Sequence, residues 1–283
     1  MHPISYFQAI VLGLLQGVSE LFPISSLGHA VIAPRLFGWD IHQNDTFFLT
    51  FLVAVHLATA LVLLGFFWHD WVRIVKGFFR TVRDRGIDPA DADARLAWLL
   101  IAGTIPAGII GLALEHPLRK LFASPEYAAV FLIVNGLLLM GGEKLRTQGH
   151  RPLSSLSMLD ALIIGFWQCT ALIPGISRSG ATIVGGLLRG IDHEGSAHFS
   201  FLIATPIILG ATVLEVPKLL HETVPPGTFG LAALAAVIAG VTAFASTAFL
   251  MRYFRQHDAW ALNPFAYYCF VVGAGSLLLL FAG

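Results

Sequence analysis

Two stretches of this chain read as membrane helices that fail in the middle. Residues 4–38 and 157–191 are apolar for most of their length. The first is broken by FPISSLGH (Phe22 to His29), the second by IPGISRSG (Ile173 to Gly180). Proline and glycine stop a helix there. Backbone groups freed at membrane depth are tolerated only where protein or a water-filled cavity satisfies them. Each stretch therefore predicts two half-helices folded into a re-entrant hairpin, covered by the rest of the chain. A bilayer span needs about 20 apolar residues. Runs at about 46–68, 96–114, 125–142, 197–217, 229–250 and 264–282 meet or approach that length. Charged residues make up 12% of the chain, against about a quarter in soluble domains. These features predict an all-α integral membrane protein forming one domain over 1–283. The zero formal net charge points to no nucleic-acid partner. Cys169 and Cys269 both lie in apolar runs and read as buried free thiols. No lysine or arginine precedes the first apolar run, so the N-terminus does not resemble a cleaved signal peptide.

The two broken stretches are also alike. AIVLGLLQGVSELFPISSLGHA from Ala9 and ALIIGFWQCTALIPGISRSGAT from Ala161 align at an offset of 152. Identities fall at Ala9/Ala161, Gly13/Gly165, Gln16/Gln168, Ile24/Ile176, Ser25/Ser177 and Gly28/Gly180. The chain reads as two repeats, about 1–148 and 149–283, each one hairpin plus three spans. Three is odd, so the second repeat enters the membrane in the opposite sense. Inverted repeats place their site near the midplane, where discontinuous helices meet. Charge placement agrees. With a loop at 69–95 in the cytoplasm, Arg73, Lys76, Arg80, Arg83, Arg85, Arg95, Lys144, Arg146, Arg151, Arg189, Arg252 and Arg255 lie inside. Arg35, Arg119, Lys120 and Lys218 lie outside, and Arg178 alone stays in the membrane. That asymmetry satisfies the positive-inside rule. It puts both termini outside and tips the first hairpin in from the outer face.

The breaks carry the ionisable residues, and inside a membrane such residues are expensive and mark function. The first brings Gln16, Glu20, Ser25, Ser26 and His29; the second brings Gly175, Ser177, Arg178, Ser179, Gly180 and Thr182. Gln16 and Glu20 are i, i+4 and share a helical face. Ser26 and His29 are i, i+3, a spacing at which a hydroxyl and a base can meet. The stretch PGISRSG opens a half-helix whose free N–H groups suit phosphate, and Arg178 adds a forked cation. Plainer roles compete: Ser25 as a helix cap, Glu20 as an ion-pair partner of Arg178, His56 as a satisfied core histidine beside the site. His69, His116, His150 and His193 read as ordinary interface residues, and Pro106 and Pro206 as helix kinks.

At QGVSE (Gln16 to Glu20), PISSLGH (Pro23 to His29) and PGISRSGAT (Pro174 to Thr182) the chain resembles the undecaprenyl-pyrophosphate phosphatase family, also called the bacitracin-resistance proteins. The resemblance spans essentially the whole chain. The first motif takes its Gln form here, and Leu27 replaces a small hydroxyl residue found in many members. The resemblance implies hydrolysis of undecaprenyl pyrophosphate to undecaprenyl phosphate and inorganic phosphate on the outer face of a bacterial cytoplasmic membrane. That recycles the carrier lipid for cell-wall synthesis. It also implies bacitracin resistance and a divalent cation, Mg²⁺ or Ca²⁺. Ser26 is then either the nucleophile, with His29 or Glu20 as base, or a ligand while water attacks. In the second case Glu20, with Gln16, holds the metal. Arg178 and the half-helix N–H groups neutralise the phosphoryl oxygens. Expected partners are a polyprenyl pyrophosphate, membrane lipids and, as a candidate, a second copy of the chain.

A transporter is the competing class, because paired hairpins in inverted repeats are a transporter plan. A carrier or flippase for a phosphorylated lipid needs the arginine and hydroxyls. It has less use for a serine and histidine at nucleophile–base spacing.

Overall fold

A computed structural model of the chain describes residues 4–41, 46–114, 124–146, 151–221 and 225–282. The described residues form eleven α-helices and no strands. In chain order these are α1 (Tyr6–Ser19), α2 (Ser26–Leu36), α3 (Thr46–Phe66), α4 (Trp68–Asp84), α5 (Ala92–Ala113), α6 (Pro125–Leu145), α7 (Met158–Thr170), α8 (Arg178–Leu188), α9 (His193–Leu220), α10 (Thr228–Gln256) and α11 (Asn263–Ala282). Six of them, α3, α5, α6, α9, α10 and α11, are long and apolar enough to cross a membrane. They match the six expected runs, and the fold is that of a multi-pass helical membrane protein. Both interrupted stretches are helix pairs, α1/α2 and α7/α8. The second helix of each pair starts and ends 152 positions apart from its counterpart, Ser26–Leu36 against Arg178–Leu188.

The expected cytoplasmic loop at 69–95 is mostly helix. A scan for 20 apolar residues passes over α4 because it is amphipathic. Trp68, Val75, Phe79 and Val82 form an exposed apolar stripe at helical spacing, while Arg73, Lys76, Arg80 and Arg83 occupy other faces. Ile74, Gly77 and Thr81 are buried against the start of α5. A Cβ on Gly77 would meet the Ala94 nitrogen at 2.6 Å. The apolar helix α5 begins four residues earlier than expected, because the Asp91 carboxylate caps it by accepting the Ala94 N–H at 3.0 Å. Helices continue through Pro106 and Pro206.

His193 is a second correction. It is not an interface residue but fully buried at the start of α9. Its Nε2 lies 2.7 Å from Glu143 Oε1 of α6 and its Nδ1 3.1 Å from Asp258 Oδ1, beyond α10. The same Glu143 oxygen accepts the Leu262 N–H at 2.8 Å. The cluster thus ties α6, α9 and the α10–α11 turn. A neighbouring tie joins Asp160 of α7 to Arg151 at 3.0 Å and Arg189 at 2.6 Å. Burial alone would raise the Asp160 carboxyl. Hydrogen bonds from Ser157, Arg189 and Arg151 outweigh it and hold that group well below the usual carboxylate range. His69 is exposed. His116, His150, Arg119, Lys120 and the repeat boundary at 148/149 lie outside the described residues.

Glycines let the broken helices sink into the bundle. In α1, a Cβ on Gly17 would stand 2.4 Å from the Ala239 carbonyl oxygen of α10. In α7, a Cβ on Gly165 would stand 2.4 Å from the Gly103 oxygen of α5. The two breaks then meet: Gly28 of α2 faces the Gly175 backbone, with 3.1 Å from a Cβ to its Cα. Gly175 has φ +100°, and a side chain there would collide with the Ala128 oxygen of α6 at 2.4 Å. Only glycine fits that turn.

Candidate active site

The chain between α1 and α2 takes a sharp path. Ser25 has φ +69°, rare for a residue with a Cβ, and such strain costs about 1–3 kcal/mol unless the surroundings over-determine it. Its side chain caps α2 by accepting the Gly28 N–H at 3.2 Å. Ser26 thereby becomes the first residue of α2, where the helix N-terminus favours negative charge. Ser177 repeats the device before α8, accepting the Gly180 N–H at 3.1 Å, and makes Arg178 the first residue there.

Glu20, at the end of α1, is the hub. It is only 7% exposed. Its Oε1 accepts from Arg178 Nη2 at 3.0 Å. Its Oε2 accepts from Ser26 Oγ at 2.6 Å and Gln16 Nε2 at 3.2 Å, and His56 Nε2 lies 3.4 Å away. His56 is fixed on α3 by its Nδ1, 2.8 Å from the Leu52 oxygen. Burying a carboxyl group without hydrogen-bond partners is costly, and these groups supply the partners. Arg178 also donates Nη1 to the Ser200 oxygen at 3.3 Å. The rest of its five N–H donors remain for an anion.

The sequence placed Gln16, Glu20, Ser26 and Arg178 together, and the structure does so; His56, left open between the core and the site, joins them. It does not bring His29 to Ser26. The His29 ring turns to α11: Nδ1 is 2.7 Å from the Ser25 oxygen and Nε2 is 2.9 Å from Tyr268 Oη. A carbonyl only accepts, so Nδ1–H donates to it, while Nε2 meets the tyrosine hydroxyl. The i, i+3 spacing put hydroxyl and imidazole on one face, but Glu20 is the group in hydrogen-bond contact with the hydroxyl. Four expected cradle members also point elsewhere. Ser179 donates to the Phe22 oxygen at 3.2 Å and Thr182 pairs with Ser200 at 2.6 Å. Gly175 and Gly180 are close-packing positions, Gly180 lying against Pro23 and Leu139.

Glu20, Ser25, Ser26, His56, Ser177 and Arg178 open on one cavity of about 430 Å³. Its other walls are mostly apolar: Phe48 and Leu52 of α3, Leu172 before α8, and Ile207 and Ile208 of α9. Glu215, which pairs with Lys218 at 2.9 Å, also lines it. The shape suits a ligand with a charged head and a greasy body. For a divalent cation, Glu20 is the carboxylate within the polar cluster. Among the described residues no group of three or more His, Cys, Asp or Glu side chains is placed to hold a metal. That donor set fits a cation carried on diphosphate oxygens, not one caged by protein.

Tyr268, Ser200 and Asn135 were missed in the sequence. Asn135 carried a usable signal, as the lone amide in the middle of an apolar span.

Fold and site together define a multi-pass membrane protein whose cavity joins an arginine to an acid-bonded hydroxyl within apolar walls. Comparison narrows this further. The chain belongs to the bacitracin resistance protein BacA family, which it matches over residues 9–275. It is 58% identical to the undecaprenyl-diphosphatase of Granulibacter bethesdensis, with 96% of each chain covered. It is 52% identical to the undecaprenyl-diphosphatases of Gluconacetobacter diazotrophicus, covering 96% of each chain, and of Acidiphilium cryptum, covering 96% of this chain and 97% of that one.

Proposed function

We propose that this chain hydrolyses undecaprenyl diphosphate to undecaprenyl phosphate and inorganic phosphate. The carrying observation is the 2.6 Å contact of Ser26 Oγ with Glu20 Oε2, beside Arg178 in a partly apolar cavity. Relatives of nearly equal length bear the corresponding name. In the reading we favour, Ser26 Oγ attacks the terminal phosphorus as its proton passes to Glu20 Oε2. The Oγ–P bond forms while the bridging P–O bond breaks, and undecaprenyl phosphate leaves. Water then hydrolyses the phosphoserine, releasing phosphate and restoring the hydroxyl. Arg178 and the N-terminal N–H groups of α8 stabilise charge on the phosphoryl oxygens. A Mg²⁺ or Ca²⁺ ion on the diphosphate, with Glu20 as the protein's carboxylate, would neutralise further charge.

The test is release of inorganic phosphate from undecaprenyl diphosphate by purified protein in detergent, where no gradient exists. Substrate-dependent release is expected. Binding without release overturns the reading and indicates a carrier.

We also propose that the chain consists of inverted repeats, about 1–148 and 149–283, each a re-entrant hairpin plus three spans, in a bacterial cytoplasmic membrane. The shared 152-residue offset of α2 and α8 and the basic charge on α4 support this. The cavity and both termini then face outward, where released carrier lipid is recycled for peptidoglycan synthesis and bacitracin acts. An impermeant thiol reagent should label a cysteine placed at exposed Pro226 in intact cells and spare one at exposed Asp88. The opposite pattern would reverse the orientation.

A further inference from the structure

Asn135 sits at the middle of α6 and is fully buried, yet it lines no wall of the catalytic cavity. Its Nδ2 donates to the Pro23 carbonyl at 2.9 Å, in the turn between α1 and α2. Its Oδ1 accepts the Ser177 N–H at 2.9 Å, in the turn between α7 and α8. The Cys269 sulfur of α11 lies 3.3 Å from the same Nδ2. One planar amide therefore holds both turns at once. Its orientation is fixed by its partners, since a carbonyl needs a donor and an N–H needs an acceptor.

The two turns carry opposite halves of the chemistry. Pro23 is two residues before strained Ser25 and three before Ser26. Ser177 is the cap that makes Arg178 the first residue of α8. The 2.6 Å Glu20–Ser26 contact lies within the first turn, and the 3.0 Å Glu20–Arg178 pair crosses to the second, so it requires the two turns to keep their relative position. Catalytic groups displaced by about 1 Å can lose a hundredfold in rate. Resting on the hydrolase reading above, we propose that Asn135 is a positioning residue that sets the register of the Ser26 turn against the Arg178 turn through its two amide hydrogen bonds.

The chemistry of the amide supplies a test that packing alone does not. In N135D, an ionised carboxylate loses the donor to Pro23 and repels its carbonyl. A protonated carboxylic acid carries one donor and one acceptor and restores both bonds. Burial raises a carboxyl's pKa by up to several units, so this switch should fall within an accessible range, roughly pH 5 to 9. Undecaprenyl diphosphate hydrolysis is measured for wild type, N135D and N135L, each normalised to protein that is monodisperse in detergent. The ratio of N135D to wild-type kcat should climb at least tenfold as pH falls across that range, with KM changing less than threefold. N135L, of similar size but without hydrogen bonds, should lose at least tenfold in kcat at every pH. A flat N135D ratio overturns the proposal, and so does N135L with kcat within threefold of wild type. If N135L does not fold, the N135D ratio alone decides. A wild-type protein that binds substrate without releasing phosphate would instead overturn the hydrolase reading, and the positioning role with it.

Discussion

Replacing Ser26 with alanine is expected to cut phosphate release from undecaprenyl diphosphate by at least about a thousandfold, the scale seen when a nucleophile is removed. KM should stay within a few-fold of wild type. The fold should tolerate the change. Ser25, not Ser26, caps α2, so the helix keeps its start. The hydroxyl removed makes one contact of note, with Glu20 Oε2. Glu20 retains Arg178, Gln16 and His56 as partners. A loss in kcat therefore reads as lost chemistry. The alternative, in which water attacks and Ser26 merely holds the diphosphate, predicts a raised KM with kcat falling by no more than about tenfold. Steady-state kinetics on S26A in detergent, with its thermal midpoint measured alongside, separates the two.

Much of this site was legible because its sequence signals were local. Proline and glycine breaks in apolar runs located both turns. Matching Gln, Ser and Gly positions at one offset linked them. An arginine and a glutamate with no reason to enter a membrane singly predicted their own pairing. What the sequence hid was direction. His29 is three residues from Ser26 and on the same helix. Its ring finds Tyr268, 239 residues away, and no spacing rule anticipates that. Ser179 and Thr182 belong to the motif that suggested a phosphate cradle, yet they bond Phe22 and Ser200 and brace the turn from behind. The helix α4 was hidden for another reason. Its apolar stripe from Trp68 to Val82 is interleaved along the chain with basic residues on other faces, so a window of uniform hydropathy averages it away. His193 was misread because helix ends usually face the membrane interface. Here Glu143 and Asp258 bury one instead.

Replacing Glu20 with glutamine should separate two functions that one carboxylate performs. Glutamine keeps the shape and can still accept from Ser26, but it cannot take the proton. Loss of a positioned general base lowers kcat by about 10²–10⁴. The same change leaves Arg178 without its anion. Arg178's side chain is 15% exposed, and removing one partner of a buried pair costs about 3–5 kcal/mol. The two effects have different remedies. A bound anion replaces the missing charge but not the missing base. Inorganic phosphate should therefore raise the thermal midpoint of E20Q by more than it raises that of wild type, while hydrolysis stays depressed. E20D shortens the reach to both partners while keeping base and charge, so it should recover more activity than E20Q. If E20Q keeps kcat within tenfold of wild type, Glu20 is not the base and serves to hold Arg178. If phosphate stabilises E20Q no more than wild type, Arg178 is not the anion site. Thermal melts over a phosphate series and steady-state assays of the same preparations read both outcomes.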